Sequence, residues 1–141
     1  MTTVWIIVWI ARLAGIVALV LGLFFWITSI DVVNVHMIFG LMLALSLLIL
    51  GIIMLCSRGA RLLGVAGIGY AFLLPIFGLA QASLLMEHMH WLIQIAHLFV
   101  GIGAGALVQG ISVRYRRLKL TTTSETPSSQ AIRQAWRKKH V

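Results

Sequence analysis

Four apolar runs, each about the length of a bilayer-crossing helix and joined by short segments, constrain this chain more than any other feature. They fall at about Val4–Ile30, Val35–Cys56, Leu62–Leu85 and Trp91–Val113. A helix needs roughly 20 apolar residues to cross about 30 Å of hydrocarbon. Lipid offers no partner to backbone N–H and C=O groups, so a spanning segment must satisfy them internally. The alternating pattern of a membrane β-barrel is absent, which leaves helices. The connections Ser29–Asn34, Ser57–Arg61 and Met86–His90 are too short to cross back, so successive helices must run antiparallel. The expected fold is all-α, an integral membrane up-down-up-down four-helix bundle.

Composition agrees and excludes other classes. Hydrophobic residues make up 61% of the 141 and charged residues 10%, against about 45–50% and about 25% in a soluble domain. A soluble chain of this size could not hide so much apolar surface. A soluble enzyme, a nucleic-acid-binding domain and a secreted disulfide scaffold are therefore excluded. The single cysteine, Cys56, allows no intrachain disulfide, no paired-cysteine redox motif and no cysteine-based zinc site. The first run has neither a basic start nor a small-residue cleavage site, and it is too long for the apolar core of a signal peptide. It is read as a span.

Charge placement sets the expected orientation. Of the 11 Lys and Arg residues, all but Arg12 fall on one side: Arg58, Arg61, Arg114, Arg116, Arg117, Lys119, Arg133, Arg137, Lys138 and Lys139. The opposite loops carry Asp31 and Glu87 and no base. The positive-inside rule then puts both termini in the cytoplasm of a bacterial inner membrane, with Ser29–Asn34 and Met86–His90 outside. Trp5 and Trp91 are placed to anchor the two interfaces. Residues 1–120 are expected to form the bundle and 121–141 a cytoplasmic linker and basic tail. Within the tail, Thr121–Gln130 is polar and contains Pro127. Ala131–Val141 places Ile132, Ala135 and Trp136 at helical spacing, which fits either a short helix on anionic lipid or a disordered basic tail.

The interior holds few ionisable groups: Arg12, His36 and His97, with His88 and His90 at the outer edge. Such groups are costly in hydrocarbon and generally functional. No Asp, Glu or Lys lies deep in a span, which leaves histidine as the main chemical resource. His36 lies near the start of helix 2 and His97 about two turns into helix 4. Those helices run in the same direction, so the two imidazoles share the outer half of the membrane. Both read His-x-x-x-Gly: His36-Met-Ile-Phe-Gly40 and His97-Leu-Phe-Val-Gly101. Residues four apart share a helix face, so Gly40 and Gly101 would leave room one turn below each imidazole for a large flat group. Arg12-Leu-Ala-Gly15 and Arg61-Leu-Leu-Gly64 echo one another in helices 1 and 3, like an imperfect repeat of a hairpin.

This pattern favours one haem b held between helices 2 and 4, with His36 and His97 as axial metal ligands. Helix 4 carries a stripe of His90, Gln94, His97, Gly101, Ala104 and Val108. His90 and Gln94 would hydrogen-bond the haem propionates or a ligand imidazole. Gly101-Ile-Gly-Ala-Gly105 supplies small residues for close packing. The plainer readings remain open: a transmembrane histidine can serve as a helix–helix hydrogen bond worth about 0.6 kcal/mol, and glycine stripes often mean packing alone. Met86-Glu-His-Met-His90 is a second constellation whose Met and His residues suit copper on the oxidising side. Arg12, about 12 Å along its helix, would either snorkel to phosphates or mark the start of the membrane. Pro75 is expected to kink helix 3, while Tyr70, Gln81 and Ser83 point to nothing by themselves.

One histidine each on helices 2 and 4 of a four-helix membrane bundle resembles the repeating half of haem A synthase and is more loosely similar to small membrane b-type cytochromes. The resemblance rests on His36 and His97 and on the architecture of Arg12–Val113. It implies a bis-histidine haem b at the outer side. Haem A synthase joins two such halves and this chain has one, so that activity is not carried over. The expected function is electron transfer, alone or as a subunit of a redox complex, with no stand-alone enzyme implied. Expected partners are the lipid bilayer, quinone and another redox protein or subunit, or further copies of the chain in an oligomer. Nucleic acid is not among them. The rival expectations are a cofactor-free accessory subunit of a larger membrane complex and an outward copper-binding protein.

Overall fold

The computed structural model describes residues 2–28, 30–57, 59–80, 90–124 and 136–137. Four helices account for nearly all of them: α1 Thr2–Thr28, α2 Val33–Leu55, α3 Arg61–Ala80 and α4 His90–Ser124. All four are long and apolar enough to cross a membrane. At most 39% of the residues in any candidate span are buried, and large side chains such as Leu13, Ile16, Leu62, Ile76 and Phe99 are exposed. Helices apolar on every face belong in an apolar surrounding.

Packing contacts fix the directions. Gly15 lies against Leu43, and His36 against Gly22. Gly51 meets Gly64 and Ile68, while Leu55 meets Gly64. Tyr70 lies against Gly103, and Arg12 pairs with Gln109. In each pair of neighbours one helix number rises as the other falls, so the helices alternate up and down. The helix pairs α1–α2, α2–α3, α3–α4 and α1–α4 form the ring, with α2 and α4 also meeting across its middle and α1 and α3 held apart.

The core occupies one end of this ring. It consists of Val8, Ala11 and Ala14 of α1, Leu43 to Met54 of α2, Ala60 with Ala71 and Leu74 of α3, and Ala104, Val108 and Ile111 of α4. Leu47, Leu50, Met54 and Ala104 have no exposed surface. Steps of three and four along each helix place these residues on one face. The closest approach is α2 on α3, where Gly51, Gly64 and Gly67 bring the two backbones together: a Cβ on Gly67 would stand 3.1 Å from the Gly51 Cα. Glycine is what permits such an approach between membrane helices.

Several expectations shift. The small-residue packing expected over Gly101–Gly105 is found at Gly103 and Ala104 and not at Gly101 or Gly105. Gly101 and Gly105 have nothing within 4 Å of a notional Cβ, whereas Gly51 and Gly64 pack backbone to backbone. Gly103 does make a close contact, with the Tyr70 hydroxyl. α4 runs on to Ser124, past the expected end of the fourth span and into the stretch read as a linker. Helical hydrogen bonding needs no apolar side chains, so the helix outlasts the hydrophobic run. Pro75 sits inside α3 without ending it. The α2–α3 turn uses Gly59 at φ 88°, and the Arg114 guanidinium donates to its carbonyl oxygen at 3.1 Å.

Candidate functional site

The two histidines meet. His36 is in the first turn of α2 and His97 two turns into α4, and the parallel course of these helices brings the rings to one level. Their centroids are 5.9 Å apart with planes inclined at 50°. Both residues are half-buried.

Each imidazole is steadied by a different neighbour. His36 Nδ1 lies 2.9 Å from the Ala18 carbonyl oxygen on α1. A carbonyl only accepts, so Nδ1 carries the proton. In the neutral ring Nε2 then holds a lone pair, as a metal-ligating imidazole needs. Ala18 Cβ is small and buried, which lets α2 come close at this point. His97 stacks on Phe77 of α3, with centroids 5.9 Å apart and planes within 16°. Its Nδ1 is buried with no hydrogen-bond partner. A buried polar atom without a partner costs about 1–3 kcal/mol, and such atoms in folded proteins generally answer to a function or a bound group.

Glycines flank the pair, although not the ones the His-x-x-x-Gly spacing singled out. Gly22 of α1 faces the His36 ring: a Cβ there would stand 3.2 Å from Cε1 and 3.4 Å from Nδ1. Gly78 of α3 faces His97, where a Cβ would lie 3.8 Å from Cε1. Gly40 and Gly101 are half-buried and have open space beside them. At these two positions α1 and α3 place no side chain against the rings, while Phe77 of α3 covers one face of His97. The residue pairs Gly22–His36 and Gly78–His97 lie on different helices, and no regular spacing in the sequence announces them.

This end of the bundle is also the loose one. The buried core stops at Leu43 on α2 and Ala104 on α4. Above that level Phe39, Gly40, Gln94, His97 and Gly101 are all half-buried, and Ala18 and Ile93 are the buried residues among those described. The α4 stripe is therefore divided: Ala104 and Val108 belong to the core, while Gln94, His97 and Gly101 line the loose end. His90 opens α4 on the same side, but the placement of its side chain lies outside the described residues. So do Gln81, Ser83 and the segment from Met86 to Met89, on which the copper expectation rests.

The arrangement fits a haem in three respects. Two imidazole nitrogens bound to opposite sides of one metal stand about 4 Å apart, given metal–nitrogen bonds of about 2.0–2.1 Å, which puts ring centres about 6 Å apart. The observed separation is 5.9 Å. One imidazole is already oriented by a backbone carbonyl and the other has a buried nitrogen without a partner. Gly22 and Gly78 keep their own positions free of side chains, while Phe77 covers one face of His97. Among the described residues no three His, Cys, Asp or Glu side chains converge, so the site offers two ligands and leaves the remaining coordination to whatever the metal brings with it.

Arg12 is remote from this site. Its guanidinium donates to Gln109 Oε1 on α4 and lies 5.6 Å from the centre of the Trp9 ring. It therefore reaches across the α1–α4 seam, a partnership that neither of the two readings of its position anticipated. Comparison with protein families, with curated proteins and with solved structures found no match.

Proposed function

We propose that this chain is a membrane b-type cytochrome, holding one haem b between His36 and His97 for electron transfer, alone or within a larger redox complex. The observation that carries the reading is the meeting of two imidazoles 5.9 Å apart in the loosely packed end of the bundle, below which the core closes. The Ala18 carbonyl leaves His36 Nε2 for the metal, and His97 has a buried nitrogen in need of a partner. Gly22 and Gly78 place no side chain of their own against the rings, and the open space at Gly40 and Gly101 favours the same group. Gln94 and His90 stand one and two turns from His97 towards the surface, where propionates would need donors.

Bound there, haem b supplies a one-electron carrier. The protein's own part would be to hold the group through His36 and His97, to exclude water and to tune the potential by burial and by the hydrogen bond on His36. In the membrane, the basic end of the bundle faces the cytoplasm and both termini lie inside, with the haem in the outer half of a bacterial inner membrane. A single haem at that depth does not by itself link the two surfaces. Its exchange partners are then a membrane quinone and a redox protein or subunit at the outer side.

The test is haem retention. His36→Ala and His97→Ala should each abolish haem binding or convert a low-spin spectrum to a high-spin one, with helical content unchanged by circular dichroism. Wild-type spectra in both variants would refute the ligand assignment.

A further inference from the structure

At the end of the bundle remote from the histidines, two arginines line one groove between α1 and α4. Arg12 donates to Gln109 and lies beside Trp9. Arg116, on α4, stands 5.4 Å over the ring of Trp5. Both line the groove together with Val4 and Trp5 at its rim, beneath which Val8 and Ile111 are buried. The chain has three acidic residues, Asp31, Glu87 and Glu125. Asp31, the one among the described residues, is at the far end of α1, where its carboxylate accepts from the Val33 N–H at 3.2 Å. Among the described residues the two guanidiniums are thus faced by a neutral amide and two indole rings.

Arginine keeps its charge in any protein setting, and its planar fork has five donors, of which Arg12 gives one to Gln109. The remaining donors call for an anion with several oxygen acceptors. The apolar rim of Val4 and Trp5 calls for a hydrocarbon chain attached to it. We propose that this groove binds one anionic glycerophospholipid, its phosphate held by Arg12 and Arg116 and an acyl chain laid along Val4 and Trp5. Basic pockets between helices on the cytoplasmic side are where such headgroups are recognised. Stacking on Trp5 and Trp9 holds the two guanidiniums in place before the lipid arrives. The proposal rests on the membrane-spanning reading above and not on the haem, so a colourless preparation would leave it standing.

Native mass spectrometry of the full chain in mild detergent tests it, with separate titrations of phosphatidylglycerol, phosphatidylcholine and inorganic phosphate. The wild type should retain one phosphatidylglycerol under activation that strips phosphatidylcholine, and inorganic phosphate should not displace it. Arg12→Gln and Arg116→Gln should each lower that retention about fivefold. Arg12→Lys should keep most of it, and Arg61→Gln, at the exposed start of α3, should change nothing. Should Arg12→Gln lose helicity, the surface variant Arg116→Gln carries the test. Equal retention of the two lipids, or wild-type retention in the double variant, would overturn the proposal. Displacement by inorganic phosphate would overturn it as well, by assigning the groove to free anions.

Discussion

Replacing Gly64 with alanine tests the packing of the bundle at its tightest point. A Cβ on Gly64 would stand 2.5 Å from the Leu55 backbone nitrogen and 2.8 Å from both the Gly51 carbonyl oxygen and the Leu55 Cα. These are backbone atoms of the facing helix, so no rotamer change relieves the clash and the two helices must move apart. Opening the crossing by roughly 1 Å forfeits up to about half of the dispersion energy of each contact it loosens. Overpacking of this kind costs about 1–3 kcal/mol. Alanine's better helix propensity returns about 1 kcal/mol, which leaves a net loss of up to about 2 kcal/mol. Gly105→Ala is the matched control: same substitution, helix interior, nothing within 4 Å. It should be neutral or stabilising by up to about 1 kcal/mol. Thermal unfolding in mild detergent, followed by the helical circular dichroism band, should rank Gly105→Ala at or above the wild type and Gly64→Ala below it. Equal midpoints for the two alanine variants would refute the close crossing.

Other expectations concern the histidine end and the orientation. Gly22→Val should push the His36 ring from its place against α1 and weaken its bond to the Ala18 carbonyl, read as a shifted Soret maximum or reduced haem loading; an unchanged spectrum and loading would separate Gly22 from the site. Gly101→Leu should fill the open space beside α4 and lower the haem-to-protein ratio, and normal loading would remove Gly101 from the site. Cys56, the chain's single cysteine, is exposed beside the basic α2–α3 turn. A membrane-impermeant maleimide should label it in inverted vesicles and leave it unlabelled in intact cells; the reverse would invert the orientation.

The four helices were legible in the sequence because hydrocarbon leaves the backbone no other choice, and because Ser29–Asn34 and Ser57–Arg61 are too short for anything but antiparallel neighbours. The meeting of His36 and His97 was legible for the same reason, since helices 2 and 4 must run in parallel and both residues sit near their starts. Which glycines face the rings was not. Helices apolar on every side carry no stripe that fixes their rotation, so the His-x-x-x-Gly spacing drew attention to Gly40 and Gly101, while the contacts belong to Gly22 and Gly78 on the other two helices. The Gly51–Gly64 crossing was hidden likewise: Gly64 stood out through its echo of Gly15, but its partner on α2 is set by packing. Arg12 reaches Gln109, 97 residues away in sequence, and no local pattern links them. The end of α4 was misplaced because polarity marks where a span stops, not where helical hydrogen bonding does.

The most direct test of the account is the absorption spectrum of the detergent-purified wild-type protein, oxidised and then reduced with dithionite. One haem held by two imidazoles predicts a coloured preparation, a Soret band that shifts on reduction, resolved α and β bands, and one haem per chain. A protein purified from haem-replete cells that stays colourless, and gains no such bands when haem is added, would contradict it.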